Sequence, residues 1–284
     1  MGTAVYIGRF QPPHDGHLAS MQSALERHTS LHVLLGSANL ARSSKNPWTP
    51  AERQRLIVAA LQQQGTAPSR VRFSFLPDEF DAERWAARVR RAVGQEEPVL
   101  VGFEKDASSH YLQWFPEWPR EPSPITGQLN ATQLRAAYFA GQPVTDVPEP
   151  VSRFLQRWRR TPVFARLRAE QQAILVERAA WDGQTRRELL VLDLQEDQLR
   201  LQRRRAVIGR GLLALPGRLL AAGEAAPPGA RIFDHPARAL SLPTTAYVVR
   251  GEASGGEWVS LAALSRSRQF FEDHQVIVRR LLES

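Results

Sequence analysis

Two histidines three residues apart are the first groups in this 284-residue chain whose spacing suggests chemistry. They lie in GRFQPPHDGH, residues 8–17, where an apolar segment gives way to a turn of glycine, proline and histidine. A helix starting there would carry His14 and His17 around its first turn. N–H groups at a helix start lack partners within the helix, and its dipole favours negative charge. Two imidazoles beside such amides make a phosphate cradle. A metal centre is the weaker reading, because catalytic zinc takes three protein ligands and no third is nearby. Gly8 closes the apolar segment, where a side chain would block the close approach of a ligand. Lysine is scarce: Lys45 and Lys105 stand against 35 arginines, which singles out both for attention.

Alternating strand and helix patterns should position these groups. TAVYIG (3–8) reads as a buried strand, followed by a helix from about 16 to 28. LHVLLGSA (31–38) is a second strand, and Pro50 suits the first position of the helix AERQRLIVAALQQQ. VRFSFLP (71–77), DAERWAARVRRAV (81–93) and PVLVGF (98–103) continue the alternation as strand, helix and strand. The fold class expected is α/β, a Rossmann-like, doubly wound parallel sheet. Ligands of such sheets bind at the carboxyl ends of the strands. Three strands run there into GRFQPPHDGH, GSANLARSSKNP and GFEKDASSH, which predicts a site independently of any motif.

GxFxPxHxGH opening a strand–turn–helix resembles the signature of the adenylyl- and cytidylyltransferase superfamily. SSKNPWTPAER (43–53) looks like the NPFTxxER segment of archaeal-type nicotinamide-mononucleotide (NMN) adenylyltransferases. LVGFEKDASSHYLQWFPEW (100–118) and LNATQLRAAYF (129–139) resemble stretches of their bifunctional bacterial relatives. The resemblance covers roughly residues 3–140 in four ordered motifs. It implies adenylyl transfer from ATP to NMN, giving NAD and pyrophosphate, with Mg²⁺ on the substrate phosphates and no metal ligand assigned to the protein.

The same resemblance distributes roles. His14, His17, Lys45 and Arg135 would serve the reacting phosphates. Gly8, Arg9, Phe10, Gly102, Lys105, Asp106, Asn130 and Thr132 would surround ATP. Ser37, Asn39 and Trp85 would face NMN. Trp85 has two readings: its indole stacks on the cationic nicotinamide, worth roughly 0.5–2 kcal/mol, or it packs its helix onto the sheet. Two departures from the pattern stand out. Phe103 occupies the place of a histidine, and Trp48 replaces a phenylalanine.

The expected domains are a nucleotidyltransferase domain at 1–142, a proline-rich linker with a short helix at 143–163, and a smaller α+β domain at 164–284. AILVERA, RELLVLDLQ, LRLQRR, TAYVVRG and EWVSL read there as β segments, and RQFFEDHQVIVRRLLE as a closing helix. LLALPGRLLAAGE (212–224) resembles the opening of a Nudix box, and RIFDHPARAL (231–240) a segment of the adenylyltransferase/Nudix fusions. Arg218 stands in place of the first glycine of the box. Glu224 is present, but AAPPGARIFDHP follows where the metal-binding helix should be. This implies a domain without hydrolytic activity. The alternative is a surviving ADP-ribose pyrophosphatase with rearranged ligands among Asp234, His235, Glu272 and Asp273.

Composition narrows the remaining classes. No cysteine is present, so disulfides, thiolate metal sites and cysteine nucleophiles are excluded. No apolar run reaches the ~20 residues of a membrane span, and a cytoplasmic, membrane-free homo-oligomer is expected. Residues 1–150 are neutral overall, so the net charge of +8 resides in residues 151–284. That basic half motivates another reading, a nucleotide-responsive regulator, but RWRR and Arg203–Arg205 come without a nucleic-acid-binding motif. A further alternative, a different phosphomonoester acceptor such as phosphopantetheine or a flavin nucleotide, fits Trp85 and NPWTPAER less well.

Overall fold

The apolar run AVYI in Thr3–Gly8 (β1) and LHVLL, apolar but for His32, in Ser30–Leu35 (β2) suit strands buried on both faces. The computed structural model describes residues 2–94, 97–102, 107–123, 130–264 and 268–283. β1 and β2 pair in parallel with Val71–Phe75 (β3), Val99–Val101 (β4) and Arg120–Glu121 (β5) in the order β3-β2-β1-β4-β5. One face packs Ala4, Leu31, Val33 and Leu35 against Asp15–Arg27 (α1) and Pro50–Gln63 (α2). The other packs Val5, Ile7 and Leu34 against Ala82–Val93 (α3) and Leu112 and Phe115. The parallel, doubly wound sheet expected is therefore present.

Local signals explain the helix starts. Thr49 and Glu52 cap α2 reciprocally: the Thr49 N–H donates to Oε2 of Glu52 at 2.7 Å and the Glu52 N–H to Oγ1 of Thr49 at 3.3 Å. Asp81 caps α3 by accepting from the Arg84 N–H at 3.0 Å. Asn130 caps Ala131–Ala140 (α4) by accepting from the Thr132 N–H at 2.9 Å. The segment read as a linker contains Glu149–Trp158 (α5), whose Val151, Leu155 and Trp158 are buried with Trp48, Tyr138 and Phe164.

The chain divides into one unit of residues 1–38 and 44–168 and another of 39–43 and 169–284. Pro162–Ala179 (α6) runs across the division at residue 168. It corrects the reading of AILVERA as a strand. No glycine or proline interrupts the run after Pro162, and burial of Ile174 beside exposed Leu175 and Val176 breaks strand alternation.

In the second unit Arg186–Leu192 (β6), Leu194–Gln195 (β7), Gln198–Arg203 (β8), Leu213–Ala214 (β9) and Gly217–Leu219 (β10) precede Arg231–Phe233 (β11), Thr244–Arg250 (β12) and Glu257–Ser260 (β13). They form one sheet in the order β10-β6-β12-β11 and another in the order β13-β8-β7, with β9 on β8. Their inner faces bury Leu190, Leu199, Leu201 and Val248 against Leu264 and Ile277, from Leu261–Leu264 (α7) and His274–Leu282 (α8). The closing helix thus starts later than its sequence suggests. Phe270 bridges to Leu213, and Glu272 adopts a φ of 47°, which breaks the helical run.

Candidate active site

The sheet order reverses between β1 and β4, so the crevice of a doubly wound sheet opens at their carboxyl ends. Gly8 ends β1 there, but the reason for a glycine differs from the expected one. A Cβ would lie 2.7 Å from the Phe10 ring, so it is Phe10 that needs the space. Phe10 turns the chain at a φ of 50° and buries its ring against Tyr6 and His17. The side chain thus belongs to the core.

His14 and His17 cap α1 reciprocally. Nδ1 of His14 accepts from the His17 N–H and Nδ1 of His17 from the His14 N–H, each at 3.3 Å. Their rings stack with centroids 3.5 Å apart. A neutral imidazole that accepts at Nδ1 carries its proton on Nε2, so each ring has Nε2–H as its remaining donor. The amides differ from expectation. The Asp15 N–H donates to the Asp146 carbonyl at 3.0 Å and the His17 N–H is held within the cap, so both are engaged within the protein.

Arginines complete this end of the sheet. Arg135 is 6% exposed and donates through Nη1 to the Gln11 carbonyl at 2.7 Å and through Nη2 to Oγ1 of Thr132 at 3.1 Å. Burial, reinforced by the like charge of Arg9, pushes its pKa down to about 9. It is still a cation at neutral pH, and one that an incoming anion would relieve. Burial also lowers the pKa of Arg9, against the attraction of Asp78. Asp78 is the carboxylate of this region: burial raises its pKa, while the Ser37 hydroxyl, Arg9 and Lys45 oppose that rise. Ser37, at a φ of 54°, donates from Oγ to Oδ2 of Asp78 at 2.8 Å, so its hydroxyl proton is already engaged. Arg9, Lys45, Asp78 and Ser37 are thus electrostatically linked, and Arg9 links them to Arg135.

Sequence reasoning missed three residues here. Asp78 follows β3, and the rule that drew attention to the other strand ends would have found it. Arg53 is fully buried and donates through Nη1 to the Gly36 carbonyl at 2.9 Å and to the Arg9 carbonyl, joining the ends of β1 and β2. Gln11 holds both backbone polar groups of Trp48, at 3.0 and 3.1 Å. No pattern in the sequence marks these pairings.

Trp85 lies half-buried in an aromatic box, its indole edge-on to Tyr111 and Trp114 at 5.6 Å each. The Tyr111 hydroxyl donates to the Ile7 carbonyl at 3.0 Å, which ties the box to the end of β1. Gly102 follows β4, and a Cβ there would lie 3.2 Å from the Leu112 side chain. Lys105 and Asp106 lie outside the described residues. Asn39 falls in the 39–43 segment that groups with the second unit.

Residues 5–71 match the cytidylyltransferase-like family. The chain is 33% identical over 176 residues to the nicotinamide/nicotinic acid mononucleotide adenylyltransferase of Acinetobacter baylyi, covering 60% of this chain and 93% of that protein. The chain belongs to the NMN adenylyltransferase family. The nicotinamide-nucleotide adenylyltransferase of Pyrococcus furiosus is 28% identical over 56% of this chain and 85% of its own. Across the whole chain, the structure resembles a bifunctional NMN adenylyltransferase/ADP ribose pyrophosphatase from Francisella tularensis, with a TM-score of 0.91, 25% identity and coverage of 100% and 99%. A second structure from that organism, complexed with AMP and a manganese ion, has a TM-score of 0.89 and 24% identity over 100% and 99% of the two chains.

That likeness directs attention to the second unit. No helix lies between β10 and β11, where residues 221–230 form irregular chain with turns at 222–223 and 228–229. Arg218 holds Glu224 through Nη1 at 2.9 Å, and this pairing pulls the Glu224 pKa down to about 2. Three of the alternative ligands, Asp273, Glu272 and His235, are engaged elsewhere. Arg238 is buried between Asp273, at 2.9 Å to each oxygen, and Glu188 at 2.9 Å. Burial alone would lower the Arg238 pKa, but these carboxylates hold it above its ordinary value. Glu272 accepts from the Leu240 N–H at 2.6 Å, and His235 accepts at Nδ1 from the Ala237 N–H at 3.1 Å. Among the described residues no three His, Asp or Glu side chains are grouped to hold a metal.

Proposed function

We propose that the first unit joins NMN to the adenylyl group of ATP, releasing NAD and pyrophosphate. The observation that carries this reading is the cationic end of the sheet, where Arg9, Lys45 and Arg135 are linked through shared charge beside the His14–His17 pair. Such a site suits a polyphosphate. An oxygen of the NMN phosphate attacks the α-phosphorus in line, the bond to the bridging oxygen breaks, and pyrophosphate leaves with the electron pair. No protein nucleophile takes part, so catalysis consists of positioning and charge stabilisation.

Each residue has a task in this scheme. Arg135 meets the β and γ phosphates, with Thr132 at its side and Asn130 fixing the helix start. Arg9 and Lys45 draw the phosphates to the end of β1. His14 and His17 donate from Nε2 as charge develops. Asp78, with Ser37, restrains Arg9 and Lys45 against their mutual repulsion. Trp85 supplies the face on which the nicotinamide stacks. The family's chemistry uses a divalent metal, and we assign Mg²⁺, carried in on the ATP phosphates. The pairing of Arg218 with Glu224 and the missing helix support a second unit without pyrophosphatase activity. The decisive assay supplies ATP and Mg²⁺ with NMN or its nicotinate analogue and quantifies dinucleotide and pyrophosphate together. Equal amounts of the two products are expected. Dinucleotide failing to form with either acceptor would overturn the reading.

A further inference from the structure

The second unit has a solvent-open cavity of about 830 Å³, within the range of small-molecule sites. Leu190, Ile208, Leu215 and Phe271 line it, and exposed Val176 and Leu219 stand among its lining residues. Arg204 also lines it, at the foot of a pinned loop. The Arg204 N–H donates to the Leu212 carbonyl and the Gly211 N–H to the Arg204 carbonyl, each at 2.9 Å. Gly209 anchors the loop by donating its N–H to Oε1 of Glu170 at 2.9 Å. A Cβ at Gly209 would fall 2.3 Å from the Phe271 ring.

The Arg204 side chain is held as firmly. Nε donates to the Ile208 carbonyl at 3.1 Å, and the guanidinium lies over the Phe271 ring at 3.6 Å. Among the described residues it makes no ion pair, whereas Arg186 is paired with Glu177 and Arg218 with Glu224. We propose that this cavity binds a small organic anion, a carboxylate or phosphate on a flat apolar body, with Arg204 holding the anion.

The surroundings favour that occupant. A guanidinium fixed along one edge and one face keeps its remaining donors in a preset fork, which suits planar or tetrahedral oxyanions. Burial lowers the Arg204 pKa, against nearby glutamates, so a counter-ion would relieve a desolvated charge. Those glutamates are engaged: Glu188 with Arg238, Glu177 with Arg186, and Glu170 with the Gly209 N–H. Glu272 is engaged too, accepting from the Leu240 N–H at 2.6 Å, and burial raises its pKa. The apolar walls then select the body of the ligand.

The test is calorimetry on the full chain at pH 7 with benzoate, phenyl phosphate and inorganic phosphate. Benzoate and phenyl phosphate distinguish the two oxyanions, and inorganic phosphate lacks the apolar body. One of the two aromatic anions should bind at least tenfold more tightly than inorganic phosphate. Arg204→Gln should weaken that binding tenfold or more. Ala173→Phe, which fills the cavity and leaves Arg204 in place, should abolish it. Adenylyl transfer, which belongs to the first unit, should be unchanged in both variants, and circular-dichroism melts matching that of the parent chain should show that the second unit remains folded. Failure of both aromatic anions to bind at about 10 mM, or binding that survives either variant, would overturn the proposal.

Discussion

Replacing His17 separates chemistry from structure. The side chain accepts one backbone N–H at 3.3 Å, a long bond, and the other half of the cap, from the His17 N–H to His14, survives its removal. Loss of an N-cap contact costs about 1 kcal/mol. Against the usual ~5–15 kcal/mol of domain stability, that leaves nearly every molecule folded. Loss of a donor aimed at developing charge costs about 2.7–4 kcal/mol of transition-state stabilisation, or roughly 10²–10³ in kcat. His17→Ala should therefore unfold at slightly lower urea yet lose two to three orders of magnitude in rate, with KM for ATP changing far less. His17→Asn sharpens the comparison. Its amide oxygen can accept the His14 N–H and restore the cap, but its amide has no donor where Nε2–H stood. Both variants should be measured by steady-state formation of NAD and pyrophosphate and by urea unfolding. If His17→Asn keeps activity to within about threefold, or if the losses follow the folded fraction, His17 is a capping residue and the proposed charge stabilisation is wrong.

Trp85→Ala should raise KM for NMN more than KM for ATP; parallel increases would assign the indole to packing the aromatic box alone. Stability should fall between pH 6.5 and 8, because Glu272 is held near 8 and the folded state keeps a proton that the unfolded chain releases. The slope approaches ~1.4 kcal/mol per pH unit; His274, lowered to about 3 by burial, acts only below this window, where its contribution is lost as pH falls. Urea unfolding should find that Glu272→Gln flattens the slope, and an unchanged slope would mean that another group titrates. ADP-ribose should yield no AMP in the presence of Mg²⁺; release that survives His17→Ala and disappears in Glu224→Gln would establish a working second centre.

The first unit was readable because its signals are local. Apolar runs, the Thr49–Glu52 cap with Pro50, and the Asp81 and Asn130 caps each lie within a few residues of the element they define. What escaped depends on contacts between distant segments. β5 has only Arg120 and Glu121, with no apolar pattern, and becomes a strand because β4 offers it an edge. AILVERA has strand-like residues, yet the helical run before it carries through. The site shows the same division. Its histidines and arginines are conspicuous in the sequence, while the placing of Asp78 beside Arg9, Lys45 and Ser37 arises only when β1, β2 and β3 align.

How the arginines are neutralised distinguishes the two units. In the second, Arg238 has Asp273 and Glu188, Arg186 has Glu177, and Arg218 has the glutamate of the box remnant. A phosphate entering the cavity of that unit meets Arg186 and Arg218 already paired, whereas Arg204 has no ion pair among the described residues. In the first unit Arg9 and Arg135 raise each other's cost, and Asp78 answers only part of that charge. Arg135 is held in place by neutral acceptors, the Gln11 and Ala131 carbonyls and the Thr132 hydroxyl, which fix its orientation without cancelling its charge. In the proposed reaction an ATP phosphate chain would supply the negative charge that the protein withholds. Substrate binding would then relieve the cost of holding these cations together, and the same cations would remain in place as charge moves onto the departing pyrophosphate.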